Sequence, residues 1–185
     1  MAMHELTDAE REKMLGELFR LLKITRWHPD RAELEREIID YLAKNQPLTL
    51  ATCTADGNPH VSVVDYVNDG LDLYIFSEGG QKFKNLAHNK NVAVGIGTSA
   101  RTITSVRGLN LWGTADVFND GTAEFKRAFA LFKPLLDDFE QKTGMPASFP
   151  PGMARIIRIT PHRMVYFHYR KGIAHACWDR EEQGA

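Results

Sequence analysis

The side chains able to do chemistry fall into a few small groups. Ser77-Glu78-Gly79-Gly80-Gln81-Lys82 sets a hydroxyl, two glycines and an ammonium close together in sequence. Glycine lets backbone N–H groups approach a ligand, and a dianion such as a phosphate ester is held best by cations, hydroxyls and N–H groups acting together. Read alone, the same residues also make a flexible turn with a solvated lysine. Near the C-terminus His162, His168 and His175 offer imidazoles, common metal and heme ligands, but in no zinc spacing. The only cysteines are Cys53 and Cys177, a poor disulfide framework, and they read as reduced thiols. No Ser-His-Asp order, Walker loop or dinucleotide glycine fingerprint is present.

The elements that must position these groups change character along the chain. Thr7-Asp8-Ala9-Glu10 has capping-box spacing, and Met14, Leu15, Leu18, Leu21 and Leu22 recur at helical period. A second start at Asp30, with Glu33 three residues on, opens a stripe of Leu34, Ile38, Ile39 and Leu42 that ends at Pro47. From Leu48 the period is two. Leu48–Ala55, Val61–Val67 and Leu71–Ser77 read as strands joined by Asp56-Gly57 and Asn68-Asp69-Gly70, a three-stranded meander. Glu78–Asn89 is a short helix or turn with Phe83 and Leu86 inward. Val92, Val94 and Ile96 mark a fourth strand and Leu109–Phe118 a fifth, where Gly113 signals a bulge or close approach. Thr122–Thr143 reads as one long helix kinked or broken at Pro134, its stripe of Phe125, Phe129, Phe132, Leu136 and Phe139 reading as packing. A Pro-rich connection from Gly144 to Gly152 leads to Ala154–Thr160 and Arg163–Tyr169, the last strand or strands.

The expected architecture is mainly β: a six-to-seven-stranded antiparallel split β-barrel of Greek-key type, with N-terminal helices and one long helix packed outside. Tight turns exclude a parallel sheet, which needs crossover helices, and closure removes strand edges. Residues 1–45 are expected to form a helical extension, 46–172 the barrel and 173–185 a tail. A net charge of −1 gives no reason to expect a nucleic-acid partner. No apolar run reaches the roughly 20 residues of a membrane span. The first residues hold no apolar signal core, so the cytoplasm is the expected compartment.

From Leu50 to Ala115 the chain resembles the pyridoxamine 5′-phosphate oxidase-like FMN-binding split barrels. The resemblance rests on an ordered set: Leu50-Ala51-Thr52 through Asp56-Gly57-Asn58-Pro59-His60-Val61, then Asp69-Gly70-Leu71-Asp72-Leu73-Tyr74-Ile75-Phe76-Ser77. Lys82-Phe83-Lys84-Asn85-Leu86 follows, then Asn89-Lys90-Asn91-Val92-Ala93-Val94, and finally Val106 to Ala115 with Gly113. It implies a homodimer with FMN at the subunit interface, Ser77 and Lys82 on the phosphate with Phe76 and Gln81 beside them. His60, Ser62, Val63, Val64 and Asp65 would line the flavin ring, partly through main chain. True pyridoxamine phosphate oxidases carry Arg and Lys where this chain has His60 and Asp65, which counts against that particular activity. Arg107, or Arg101, is a candidate replacement for the lost charge. Trp178 and Arg180 are candidates for closing over the flavin, although the family's own C-terminal motif is missing and an ordinary tail is the simpler account.

No catalytic acid–base pair is evident, as expected where the flavin itself carries the electrons. The implied activity is an FMN-dependent oxidoreductase acting on an unidentified small molecule. A non-catalytic flavin carrier or stress-response module is the alternative, and a heme-binding protein of the same fold a further one.

Overall fold

The computed structural model describes residues 7–147, 150 and 152–181. The first six residues, the end of the tail and part of the Pro-rich connection lie outside the described residues. Helix α1 (Asp8–Leu21) and helix α2 (Arg31–Lys44) both begin with the expected capping boxes, Thr7 with Glu10 and Asp30 with Glu33. In each, the cap side chain accepts from the N–H of the third helical residue, the glutamate, whose own side chain accepts from the cap N–H. Helix α2 turns Leu34, Ile38, Tyr41 and Leu42 into the barrel core; α1 buries Leu15 and Phe19.

One antiparallel sheet carries the rest: β1 (Leu48–Cys53), β2 (Pro59–Val64), β3 (Val67–Asp69), β4 (Asp72–Ser77), β5 (Asn91–Gly97), β6 (Arg107–Asn119), β7 (Arg155–His168) and β8 (Ile173–Asp179). Its order is β2-β1-β5-β6-β7-β4-β3, with β8 on β7. It curls around Leu48, Leu50, Leu73, Ile75, Leu109, Leu111, Ile157 and Ile159, all essentially without solvent contact. Eight strands stand where six or seven were expected. Among the described residues the sheet stays open, because β2 and β3 lie at opposite ends of the strand order.

The expected meander is corrected. The second strand breaks at Asp65-Tyr66, so β3 and β4 form their own hairpin and β4 pairs with β7 instead of β2. Tyr66 explains the break. Its ring is buried and its hydroxyl donates to the carbonyls of Leu42 and Asn45 at 2.8 and 2.6 Å, which ties the chain to the end of α2 and turns it away from β1.

Two other expectations change. The long helix is two, α4 (Ala123–Phe129) and α5 (Lys133–Thr143), separated by a 3₁₀ turn, with Pro134 in the first turn of α5 where its missing N–H costs nothing. Residues 173–179 are no tail: β8 pairs with β7 from Arg163 to His168. The bulge expected at Gly113 is present, facing Pro161 and displacing the β6–β7 register. A Cβ on Gly113 would stand 2.4 Å from the Thr160 carbonyl oxygen. Between β4 and β5 in the chain, helix α3 (Gln81–Leu86) buries Phe83 and Leu86 as expected. Among the described residues no helix is long and apolar enough to cross a membrane.

Candidate functional site

The Ser77–Lys82 turn closes the end of β4. Gly80 has φ +106°, a left-handed conformation that favours glycine, and a Cβ on Gly79 would meet nothing within 4 Å, so this backbone is open to a ligand. Lys82 is buried, with 7% of its surface exposed. Its Nζ donates 2.7 Å to the Gly79 carbonyl and stands 5.2 Å from the Phe83 ring centroid. No carboxylate pairs with it among the described residues. Burial pushes the ammonium's pKa below the ordinary lysine value, as expected for a cation removed from water without a counter-charge. Ser77 Oγ lies 3.4 Å from the same Gly79 carbonyl.

Arg155 joins this cluster, and the sequence did not announce it. It pairs in register with Ser77 on one side and Asn119 on the other. Its guanidinium carbon lies 4.4 Å from the Phe83 centroid, on the ring Lys82 also approaches. Seventy-odd residues separate it from Lys82 in the chain; only the β4–β7 pairing brings them together.

From the turn a polar chain runs inward. Gln81 Nε2 donates to Asn85 Oδ1 at 2.9 Å, and Asn85 Nδ2 donates to Thr52 Oγ1 at 2.9 Å. Thr52 pairs in register with His60 on β2. Among the described residues His60 Nδ1 is buried with no hydrogen-bond partner, an uncommon state for a buried polar atom. Along β2, His60, Ser62 and Val64 face inward and are half-buried, whereas Val63 is exposed on the outer face and Asp65 is exposed beyond the strand end. Among the described residues strand β2 is bonded to β1 alone, with its other backbone edge open.

Four further candidates lie elsewhere. Phe76 faces outward into a cluster with Phe129 and Phe132, at centroid distances of 5.7 and 5.8 Å. Trp178 is buried on β8 and its Nε1 donates 2.6 Å to Glu35; Arg180 donates to the Pro161 carbonyl at 2.8 Å. Trp178 therefore packs α2 onto the barrel rather than closing over the turn. Arg107 begins β6, whose far end pairs with Arg155, so it stands at the opposite end of the barrel from Lys82. Its Nε donates 3.2 Å to the Tyr166 hydroxyl, 3.4 Å from His168 Nδ1, and its guanidinium covers the Tyr41 ring at 4.5 Å. His162 sits in the bulge, 3.3 Å from Thr114 Oγ1, and His175 has φ +53° on β8. The histidines do not converge: among the described residues no group of three His, Cys, Asp or Glu side chains is placed to hold a metal ion.

The sequence profile of the family described as "Pyridoxamine 5′-phosphate oxidase" matches residues 34–168. The chain belongs to this family. No curated protein matches it, but solved structures share its fold. A Listeria innocua protein named provisionally for the same oxidase has 22% identity and a TM-score of 0.57 over 74% of this chain and 99% of its own. An FAD-binding protein of Mesorhizobium loti has 18% identity and a TM-score of 0.54 over 70% and 90%. HutZ, the heme storage protein of Vibrio cholerae, has 19% identity and a TM-score of 0.54 over 69% and 89%. The profile spans α2 through β7, and therefore includes the Ser77–Lys82 turn and β2.

Proposed function

We propose that the chain is an FMN-binding flavoprotein that works as a homodimer and transfers electrons to or from a small molecule. One observation carries the reading. A buried ammonium without a counter-charge among the described residues, Lys82, stands beside Ser77 and a glycine pair at the end of β4. A phosphate dianion supplies the missing charge and takes the hydroxyl and N–H donors. The unpartnered His60 Nδ1 and the open edge of β2 fit the polar rim of a ring laid against that strand. The Mesorhizobium loti protein of the same fold binds FAD, which supports a flavin; FMN is our choice because the turn offers one compact anion site. Residues 46–172 are the unit we assign to the cofactor, and the cytoplasm is the compartment we assign to the protein.

FMN, when bound, supplies hydride or single-electron transfer. In this reading Lys82, Ser77 and the Gly79-Gly80 backbone hold the phosphate, and β2 orients the ring. The dimer rests on a surface argument. Val61, Ala51, Ala93 and Trp112 form one register row across β2, β1, β5 and β6, on the outer face. Val61, Val63 and Trp112 are 58%, 67% and 47% exposed. Small residues between large apolar ends make a trough that a second copy fills by two-fold symmetry.

The test is direct. Purified protein is expected to show a flavin spectrum, to release FMN on heating, and to run as a dimer in light scattering. Anaerobic mixing with NADH or NADPH then separates an enzyme, whose flavin bleaches, from a carrier. A colourless monomer that ignores added FMN would end the proposal.

A further inference from the structure

Between α3 and β6 lies a cleft of about 360 Å3 that the Ser77–Lys82 turn does not use. Its apolar walls are Phe83 and Leu86 from the helix and Ala115, Val117 and Phe118 from the strand, and the charged Lys90 and Asp116 line it beside them. Arg155 also lines it, half-buried, with its guanidinium 4.4 Å over the Phe83 ring and no carboxylate partner among the described residues. The cleft's one acid, Asp116, is already bridged by Lys90 at 2.9 Å and Arg158 at 2.8 Å. These partners hold its pKa below the usual carboxylate range, so Asp116 stays charged and engaged with them. Arg155 is left as a positive charge without a counter-charge against apolar walls.

That combination selects a ligand. A cavity of this size that joins apolar walls to a few convergent polar groups is the ordinary form of a small-molecule site. A planar guanidinium is matched best by a planar oxyanion that takes two parallel N–H bonds. We propose that the α3–β6 cleft binds a small carboxylate on an aromatic or aliphatic skeleton, its carboxylate on Arg155 and its skeleton along Phe83 and Leu86. The cleft and the phosphate turn meet at the Phe83 ring, but the inference does not rest on flavin binding, since the walls and the charge stand whichever group occupies the turn.

Benzoate is the probe, and the methyl resonances of Leu86, Ala115 and Val117 are the readout, on purified protein with and without added FMN. Benzoate is expected to shift these signals saturably. Benzamide has the same shape without the charge and should bind at least about tenfold more weakly, the loss of one charge-assisted contact. Arg155→Gln should remove that difference. Ala87→Trp, at an exposed position on the cleft rim, should block both probes while the circular dichroism spectrum is unchanged. Three results would each overturn the inference: no saturable shift, equal binding of the two probes, or displacement of benzoate by FMN. The last would assign Arg155 to the phosphate grip, and flavin retention, read separately by absorbance, shows whether the flavin proposal itself stands.

Discussion

Replacing Lys82 with methionine isolates the charge on which the flavin reading depends. The methionine keeps most of the apolar stem and removes only the ammonium, which lies 5.2 Å from the Phe83 ring centroid and donates to the Gly79 carbonyl at 2.7 Å. Gly79 is only half-buried, so its freed carbonyl can be solvated and folding stability should change by no more than ~1 kcal/mol, the net worth of one such bond. Ligand affinity should change far more. A hydrogen bond to a charged partner contributes ~1.5–3 kcal/mol, which at ~1.4 kcal/mol per decade is roughly a ten- to hundredfold rise in Kd for FMN. Quenching of FMN fluorescence on titration with apoprotein measures it, and far-UV circular dichroism checks the fold. The pH dependence adds a second signature. Burial holds Lys82 below its ordinary pKa in the free protein, and a bound dianion favours the protonated form. Affinity should therefore fall as pH rises through that lowered pKa, with protons taken up on binding, and the Lys82→Met variant should lose this dependence. An unchanged Kd in a folded variant would refute the assignment and move the phosphate elsewhere.

Two further outcomes follow from packing. Gly113→Ala places a Cβ 2.4 Å from one backbone oxygen and 3.0 Å from the Pro161 Cα; neither is a flexible side-chain end, so urea unfolding should show a loss of ~1–3 kcal/mol, the usual cost of overpacking, and a loss below about 0.5 kcal/mol, the scatter of innocuous surface changes, would mean that the bulge yields. Val63→Lys puts a charge on an outer-face side chain already 67% exposed, so the isolated chain should keep its unfolding midpoint while light scattering shows a monomer; a persistent dimer would locate the interface on another face.

How far the sequence could be read depended on whether the controlling interaction was local. Capping boxes, the turns at Gly57 and Gly70, the bulge at Gly113 and the inward Phe83 and Leu86 were legible because each is set within a few residues. The strand order was not. Nothing near Val67 reveals that Tyr66 bonds to α2 carbonyls more than 20 residues upstream, and this anchor is what turns a simple meander into a split sheet. The candidate site divides the same way. Ser77, Gln81 and Lys82 share one turn and are legible together, whereas Arg155 reaches Ser77 only through β4–β7 pairing. Trp178 illustrates the opposite failure: an aromatic residue near the chain end resembles a lid until β8 is seen to bury it against Glu35 of α2.

Arg107 shows where residue type misleads about role. Twelve residues of β6 separate it from Asn119, the partner of Arg155, and at ~3.4 Å per residue that is roughly 40 Å of strand. Within one chain it therefore cannot share a phosphate with Lys82. What it does touch is a small polar knot under α2: Tyr166, His168 beyond it, and the face of Tyr41. Burial first, then the charges of Arg107 and Lys171, push His168 down to about 4, so the imidazole is neutral at pH 7. The unfolded chain binds its proton near the ordinary 6.5. Between those values the unfolded state holds more protons, so stability must rise with pH across that window and decline on acidification through it. Arg107→Gln removes one repelling cation, should raise the His168 pKa toward its ordinary value in an NMR titration, and should flatten that part of the stability curve. FMN retention should remain at the wild-type level. If retention collapses while the fold persists, Arg107 must reach the flavin from the partner chain, and a mixture of Arg107→Gln with Lys82→Met chains would then recover an intact site in each mixed dimer.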